Sequence, residues 1–462
     1  MAVMKFGGSS LANPNRIHEV ADIIIERSHS DSSLPLVVVS AMKGITNTLI
    51  DCAAGAEKGN RGYPGTLTGM RKRHEEAAGA LVEDKNRRKN LLTKINTVFD
   101  ELGEILHGIE LVKECSPRTN DLVNGFGERL STLLLSEHLK SRGMAAEAVD
   151  ARRIIRTDDS HGRAVVDFPR SNALIIESLA KRSNIAVVTG FIASTADGVS
   201  TTLGRNGSDY TASILGAALK EDVVEIWTDV DGVHTADPRV VPNSLVINEI
   251  SFQEAMELSY FGAEVIHPYT LIPVMDQNIP VYIKNTTNPA APGTKIARAV
   301  IPSNRTITGI ASIDEVSMVS IEGGGMMGMP GVASRIFSSV AASRANIIMI
   351  TQASSEHSIC LMCRNQDAQK AVERLQSDLC DAIETKMIRD IKLTTGLEII
   401  AVIGDNMRGQ VGLSGKLFSA LGNAGVNILA IAQGSTELNI SLVVEERHKK
   451  TAISAIHKAF IG

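Results

Sequence analysis

A mostly apolar strand followed by a polar, glycine-containing loop recurs along the first half of this 462-residue chain. The predicted strands are Ala2–Phe6, Leu36–Val39, Ala145–Val149, Ile185–Thr189 and Val223–Trp227. Continuous Val, Ile and Leu runs are typical of strands buried on both faces. We therefore predict an α/β fold, with a mainly parallel sheet sandwiched by helices. A ligand site is expected at the carboxyl ends of the strands.

The stretch Thr201–Ala212 is the most chemically specific of these loops. Two glycines flank Arg205, and Ser208 and Asp209 precede an Ala-rich run with helical spacing. We predict that Ser208 or Asp209 caps this helix. A guanidinium and a carboxylate beside free N–H groups suit a zwitterionic amino acid, whose α-carboxylate Arg205 would bind. An ordinary capped loop with a surface arginine is the alternative interpretation.

Three further segments carry polar groups near predicted strand ends. Lys5–Ser10 contains two glycines between a strand and a helix, a layout that favours phosphate binding, although it is not a Walker A loop. Ser40–Asn47 is a second loop rich in hydroxyl groups. Glu128 lies in the first turn of a predicted helix, where it either favours the helix dipole or faces a ligand.

Length, charge and cysteine content limit the class of protein. A chain of this length suggests roughly two to four domains. The net charge of −5 argues against nucleic acid or an anionic membrane as a partner, and no run of about 18 apolar residues indicates a membrane span. Five irregularly spaced cysteines predict a reducing compartment, the cytoplasm or a plastid stroma. Because the start leads directly into a strand, we expect no signal peptide.

An internal repeat occupies the last third of the chain. The same 81-residue offset relates Phe337 to Phe418 and Gln352 to Gln433. Each copy is predicted to run strand, helix, strand, strand, helix. Repeated residues usually reflect shared packing, but an amide after an apolar strand can also bond a small hydroxylated or zwitterionic ligand.

Seven motifs together resemble a known family. They are Lys5-Phe6-Gly7-Gly8-Ser9-Ser10, Ser40 to Asn47, Gly125 to Ser131, Leu203 to Asp209, Trp227 to Arg239, Glu254 to Ala263 with His267-Pro268, and Asn288 to Thr294. In this order they resemble the aspartokinases of the amino-acid kinase superfamily. The whole chain is most similar to the kinase half of the threonine-sensitive bifunctional aspartokinase–homoserine dehydrogenases. The sequence stops at Gly462 without the dehydrogenase half of those proteins, so we expect a monofunctional relative or a fragment.

The resemblance implies an enzyme that uses ATP and Mg²⁺ to phosphorylate the β-carboxylate of L-aspartate, giving 4-phospho-L-aspartate in lysine, threonine and methionine biosynthesis. It implies catalytic roles for Lys5, Gly7, Gly8 and Asp209. It implies aspartate binding by Ser40, Thr46, Glu128 and Arg205. It implies ATP binding by Lys5, Trp227, Thr228, Asp229, His234 and Arg239. Mg²⁺ is expected to be carried mainly by the ATP phosphates, with no dedicated metal site. Lys284 and Lys295 are candidates for a further basic contact with ATP.

The resemblance also implies a domain plan and regulation. A kinase domain is expected over residues 1–300, followed by two ferredoxin-like ACT modules over 312–391 and 392–462. The sequence from Ile350 to Ser355 resembles the threonine-responsive branch of the family, so threonine is the expected amino-acid effector. It would bind near Gln352, Gln433, Asn346 and Asn427. ACT modules of this family usually pair between subunits, which implies a homo-oligomer. A catalytically silent amino-acid sensor and a kinase for another amino-acid carboxylate are the alternative functions.

Overall fold

The computed structural model describes residues 2–30, 34–60, 62–262, 266–299, 305–352 and 357–462. The chain divides into two compact units. The first comprises Met1–Val233, Val246–Phe252 and Val265–Val300; the second comprises His234–Leu245, Gln253–Glu264 and Ile301–Gly462. Two parts of the motifs above, Ala263 and 353–355, lie outside the described residues. No helix in the described ranges is long and apolar enough to cross a membrane.

The first unit is a layered α/β structure. Its strands are β1 (Ala2–Phe6), β2 (Leu36–Val39), β3 (Ala146–Val149), β4 (Ile185–Thr189), β5 (Ile192–Ser194), β6 (Ser200–Thr202), β7 (Val223–Thr228), β8 (Glu249–Ser251), β9 (Val281–Asn285) and β10 (Thr294–Ala297). Its helices begin with α1 (Pro14–Ser30), α2 (Ile45–Glu57), α3 (Tyr63–Leu81), α4 (Lys85–Val112), α5 (Pro117–Asn124), α6 (Phe126–Ser141), α7 (Phe168–Leu179) and α8 (Gly207–Leu219). Helix α9 (Phe252–Tyr260) starts in this unit and continues in the second, and α10 (Pro268–Asp276) returns to the first.

Eight of these strands form one sheet in the order β3-β4-β2-β1-β7-β9-β10-β8. Every neighbouring pair is parallel except β9 and β10. The apolar side chains of the central strands β1 and β2 are fully buried. This confirms the predicted mainly parallel sheet, because helices on both faces exclude water from strands that carry no polar alternation.

Helix α4 shows how the local sequence specifies an outer element of this unit. The Asp84 side chain accepts a hydrogen bond from the Arg87 amide at 2.7 Å and so caps the first turn. One face then buries residues at helical spacing: Leu91, Ile95, Val98, Phe99, Leu102, Leu106 and Ile109. Burial of this single stripe holds the helix against the unit, while its other face stays polar.

The second unit contains an antiparallel sheet in the order β12-β13-β11-β14-β16-β15. Its strands are β11 (Gly309–Glu322), β12 (Ile347–Gln352), β13 (Ser358–Arg364), β14 (Asp390–Ile403), β15 (Ala430–Gln433) and β16 (Asn439–Glu445). Its remaining helices are α11 (Val332–Ala342), α12 (Asn365–Asp378), α13 (Cys380–Glu384), α14 (Leu413–Asn423) and α15 (Lys449–Phe460). Short 3₁₀ turns lie at Ala151–Arg153 in the first unit and at Gly324–Met326, Asp405–Met407 and Glu446–His448 here.

The predicted repeat is confirmed in this second unit. Strand, helix, strand, strand and helix follow one another from β11 to α12 and again from β14 to α15. Gly331 and Gly412, 81 residues apart, precede α11 and α14 with φ of +94° and +82°. A side chain would strain this left-handed conformation, which explains a glycine in both copies. The long strands β11 and β14 pair along their length, so each contributes to both halves of the sheet.

Candidate active site

A cavity of about 410 Å³ lies at the carboxyl ends of the central strands of the first unit. Of the residues predicted to act, it is lined by Lys5, Gly8, Ser40, Thr46, Glu128 and Asp209. These residues come from four separate parts of the chain. They meet because parallel strands end at one edge of the sheet.

Lys5 and Asp209 form the charged pair at the base of this cavity. Lys5 Nζ lies 2.5 Å from Asp209 Oδ1, and both side chains are buried. Lys5 sits on β1 between β2 and β7, so the sheet holds its backbone on both sides. Asp209 lies in the first turn of α8 and also accepts a hydrogen bond from Asn206 Nδ2 at 3.1 Å. The pair keeps one ammonium group fixed inside the cavity with its charge balanced.

The predicted cap of α8 is wrong. The helix begins at Gly207 after Asn206, which has φ of +52° and makes no side-chain cap. Asp209 does not cap the helix, because its carboxylate pairs with Lys5. Gly204, with φ of +78°, lets the preceding loop turn sharply into this position.

Glu128 supplies a second, unbalanced carboxylate to the cavity. Its Oε1 atom accepts a hydrogen bond from the Ala41 amide at 3.2 Å. Its buried Oε2 atom has no hydrogen-bond partner among the described residues. The side chain is only 3% exposed, and this burial raises its pKa from 4.5 to about 7. An unpartnered buried acceptor on a residue that lines a cavity is suited to a cationic ligand group, because the cation would supply the missing partner.

Helix α6 approaches the Ser40–Asn47 loop closely enough to place Glu128 there. A Cβ atom on Gly127 would lie 2.6 Å from Ala41 Cβ, a distance that side chains do not adopt. Glycine at this position therefore allows the Glu128 carboxylate to reach the Ala41 amide. The sequence pattern placed Glu128 in the first helical turn but could not decide which way it faces.

Arg205 is exposed, and its neighbours Gly204 and Asn206 line the cavity. Arg205 itself is not among the residues that line the cavity. Its charge does act on His267, which precedes α10: burial lowers the pKa of His267, and the Arg205 guanidinium lowers it further, whereas Asp209 opposes this effect.

Phe191 is a cavity residue that the sequence analysis did not select. It lies two residues after the end of β4, has φ of +67° and lines the cavity. Gly207 packs against it, since a Cβ there would lie 2.7 Å from Phe191 Cδ2. Its position at a strand end was the only available signal. Ser9, Met42, Lys43, Asn47 and Ser208 also line the cavity without having been predicted as site residues.

The residues predicted to bind ATP within the first unit lie around the end of β7. Trp227 is buried, stacks on Phe6 at a ring-centroid distance of 5.9 Å, and donates from Nε1 to Glu225 at 3.0 Å. Its carbonyl accepts the Gly7 amide hydrogen at 3.1 Å, so this amide is already engaged. Thr228 is half-buried and donates from its hydroxyl to Asp229 at 3.2 Å.

The two lysines considered for a further ATP contact differ in surroundings. Lys284 Nζ lies 5.0 Å from the ring centroid of Trp227, at the same strand ends as the predicted ATP residues. Lys295 Nζ instead bonds Glu249 Oε1 at 3.2 Å. Lys284 is thus the lysine that lies beside a residue of the predicted ATP set.

His234 and Arg239 belong to the second unit. His234 Nδ1 lies 3.1 Å from Ser244 Oγ, and Arg239 Nε donates to Asp237 at 3.0 Å. Their role in ATP binding stays a prediction.

The residues predicted to bind an effector lie on exposed ends of strands in the second unit. Gln352 ends β12, Gln433 ends β15, and both are exposed. Thr351 Oγ1 donates to the Ile431 carbonyl at 3.2 Å, so the two glutamine-bearing strands come together. Asn346 and Asn427 are exposed in the loops before the same strands.

Comparisons with known proteins agree with this architecture. The family described as the amino acid kinase family matches residues 1–285, and the family described as the ACT domain matches 319–379 and 400–460. The bifunctional aspartokinase/homoserine dehydrogenase 1 of Arabidopsis thaliana, a chloroplastic protein, is 38% identical over 99% of this chain and 51% of its own length. The chain spans about half the length of this protein and of two further plant relatives with the same two activities in their names.

Solved structures of aspartokinase III from E. coli match over nearly the full length of both chains. The complex with aspartate and ADP has a TM-score of 0.83 at 31% identity, covering 99% of each chain. The complex with lysine and aspartate has a TM-score of 0.79 at 30% identity, covering 100% of each chain. By the family match over more than half its length and by this full-length similarity, the chain belongs to the aspartokinases of the amino acid kinase family.

Proposed function

We propose that this chain transfers the γ-phosphoryl group of ATP to the β-carboxylate of L-aspartate. The observation that carries the proposal is the buried Glu128 Oε2 atom, which has no hydrogen-bond partner among the described residues and belongs to a side chain that lines the same cavity as Lys5 and Asp209. The E. coli relative is solved with aspartate and ADP, which supports the same pair of ligands here.

The charges of the cavity fit a zwitterionic amino acid. The ammonium group of aspartate would give Glu128 its missing cationic partner and favour the ionised carboxylate. The exposed guanidinium of Arg205, between the lining residues Gly204 and Asn206, would bind the α-carboxylate. Ser40 and Thr46, which line the cavity, would bond the side chain of the substrate. A substrate lacking the ammonium group would leave Glu128 buried without a partner, which disfavours it.

The chemistry needs no general base from the protein. The β-carboxylate of aspartate has an ordinary pKa of about 3.9 and is ionised at neutral pH. The task of the protein is therefore to align this nucleophile and to balance the charge on the transferring phosphoryl group. Lys5 is placed to do the latter, since the cavity buries its ammonium and Asp209 fixes its position.

The nucleotide is proposed to lie toward the end of β7, near Thr228, Asp229 and Lys284. The phosphates are proposed to lie against the loop after β1, because its Gly8 and Ser9 line the cavity beside Lys5. Mg²⁺ would be carried mainly by the ATP phosphates, whose charge it would partly neutralise. His234 and Arg239 are kept as proposed nucleotide contacts from the resemblance.

Feedback regulation is proposed for the second unit. An amino-acid effector, threonine in our proposal, would bind near Gln352 and Gln433, with Asn346 and Asn427 close by. The approach of β12 and β15 supports one shared region. The E. coli relative is solved with lysine, so lysine is the competing effector. Coupling of about 1–3 kcal/mol would change the affinity for a substrate by about 5- to 150-fold.

The remaining proposals concern the assembly of the protein, its compartment and the pathway that uses its product. The ACT match supports a homo-oligomer formed through these modules. The five cysteines are free thiols, which fits a reducing compartment, cytoplasm or plastid stroma. The product would enter the biosynthesis of lysine, threonine and methionine.

The experiment is ADP release with Mg·ATP and L-aspartate, titrated first with L-threonine and then with L-lysine. Aspartate-dependent turnover that threonine suppresses supports both proposals. Suppression by lysine alone keeps the kinase and overturns the effector assignment. Absent turnover in protein that still binds threonine favours a silent sensor, and turnover with another amino acid in place of aspartate favours a different kinase.

The effector site has its own variants. Gln352→Ala and Gln433→Ala are expected to weaken inhibition by threonine. Gln369→Ala is the matched control, since this glutamine lies on α12 and bonds Glu373 at 3.0 Å. Unchanged inhibition in both test variants would show that the effector binds elsewhere.

A further inference from the structure

The loop that carries Arg205 rests on a support from another part of the first unit. The Thr202 carbonyl, at the end of β6, accepts the Ala164 amide hydrogen at 3.0 Å. Two residues later the chain passes over the segment 161–164, where a Cβ on Gly204 would lie 3.4 Å from the Gly162 carbonyl. The position of Arg205 thus depends on how firmly segment 161–164 is held.

A single buried carboxylate, that of Asp121, binds segment 161–164 in place. Asp121 lies on α5 and is 2% exposed. Its Oδ1 atom accepts hydrogen bonds from Thr202 Oγ1 at 2.6 Å and from the Gly162 amide at 3.0 Å. Its Oδ2 atom accepts from the same amide at 3.0 Å and lies 2.9 Å from His161 Nδ1. Three segments that are distant in sequence are therefore tied together by one side chain.

A carboxylate suits this junction because each group that faces it can donate. Thr202 offers an O–H, Gly162 a backbone N–H and His161 a ring N–H, while an ionised carboxyl group accepts only. Loss of the carboxylate would leave the buried Thr202 hydroxyl without its acceptor and would free the more exposed Gly162 and His161, which favours movement of the segment rather than a simple cavity.

We infer that Asp121 is a positioning residue for aspartate binding, acting through Thr202 and segment 161–164 on the loop that holds Arg205. This inference rests on the proposed function. Asp121 touches neither the cavity nor the Lys5–Asp209 pair by any contact described, so its effect falls on the aspartate side of the reaction.

The first test compares Asp121→Ala with wild type in steady-state kinetics. We expect the KM for aspartate to rise about tenfold or more, since displacement of a binding group by about 1 Å is costly. The KM for ATP should stay within about twofold, because no described contact of Asp121 reaches the nucleotide residues. Asp121→Asn should recover part of the loss, since its amide oxygen still accepts from Thr202 and Gly162. A wild-type KM for aspartate in Asp121→Ala, or equal rises for both substrates, would overturn the inference.

Asp84→Ala is the matched control. The Asp84 carboxylate also accepts a backbone amide hydrogen, from Arg87 at 2.7 Å, but it is exposed and caps α4 rather than holding segment 161–164. Its KM for aspartate should stay close to wild type. If Asp121→Ala does not fold, Thr202→Val removes one of the bonds alone and should raise the KM for aspartate about threefold or more.

Trypsin cleavage after Arg205 gives a readout that needs no catalysis. The exposed loop should be cut at least about threefold faster in Asp121→Ala than in Asp84→Ala, because the hydrogen bonds that hold segment 161–164 under Gly204 are lost. Equal cleavage rates would overturn the positioning role. Wild-type protein without aspartate-dependent turnover would overturn the proposed function instead, and the cleavage comparison would still decide the role of Asp121.

Discussion

Replacing Glu128 by glutamine should stabilise the first unit at high pH while weakening aspartate binding. Glutamine keeps an oxygen that can accept the Ala41 amide hydrogen, and it removes a carboxylate that is buried with one unpartnered oxygen. Burial raises the pKa of Glu128 from 4.5 to about 7. At 1.36 kcal/mol per pH unit, this difference corresponds to about 3 kcal/mol.

The sign of the pH dependence follows from proton binding. Between pH 4.5 and about 7 the folded chain holds a proton on Glu128 more often than the unfolded chain does. The contribution of Glu128 to the free energy of unfolding therefore falls as pH rises through this window and is constant above it. The Glu128→Gln variant lacks this loss. We expect it to exceed wild type in stability by about 1 kcal/mol at pH 5 and by about 3 kcal/mol at pH 8.

Urea unfolding followed by tryptophan fluorescence measures this difference. Trp227 is the single tryptophan of the chain and is buried in the first unit, so its emission reports on that unit. Glu137→Gln is the matched control on the same helix. Glu137 pairs with Lys140 at 2.7 Å, so loss of its charge should not stabilise the protein. Added aspartate should stabilise wild type much more than Glu128→Gln.

Two results would refute this reasoning. A Glu128→Gln variant no more stable than wild type at pH 8 would show that burial of the carboxylate carries no cost. A gain of equal size at pH 5 and pH 8 would show that the gain does not come from ionisation.

Three further predictions concern the cavity and the two cores. Lys5→Met should lower kcat, measured by ADP release, by at least about 100-fold, because the transferring phosphoryl group loses its cation. The substitution also leaves Asp209 buried without this partner. Gly190→Ala should lower the free energy of unfolding by about 1–3 kcal/mol, since the new Cβ would lie 2.5 Å from Ser208 Cβ. Urea unfolding followed by tryptophan fluorescence measures this loss, and an unchanged midpoint would contradict the prediction. Leu417→Ala should lower the free energy of unfolding by about 2–5 kcal/mol, because it leaves a cavity where this fully buried side chain packs in the second unit. Unfolding followed by circular dichroism measures this loss, and a value below about 1 kcal/mol would contradict the prediction.

Much of the fold could be predicted because its signals are local. The apolar runs of β1 and β2 required burial on both faces, and that requirement predicted the parallel sheet. The repeat was visible because Gly331 and Gly412 occupy the same left-handed turn in two copies of one structure. The cavity residues Lys5, Glu128 and Asp209 were selected for similar reasons, since each is a charged group at a predicted strand or helix end.

The sequence therefore determined which elements form and which charged groups stand at their ends, because periodicity and turn chemistry are properties of neighbouring residues. Only the tertiary structure decided which of these groups meet. Asp209 pairs with Lys5 instead of capping α8, Phe191 enters the cavity, and Asp121 reaches Thr202, 81 residues further along the chain. Such contacts depend on how helices and loops pack on the sheet, and a linear pattern does not contain the distances between distant residues.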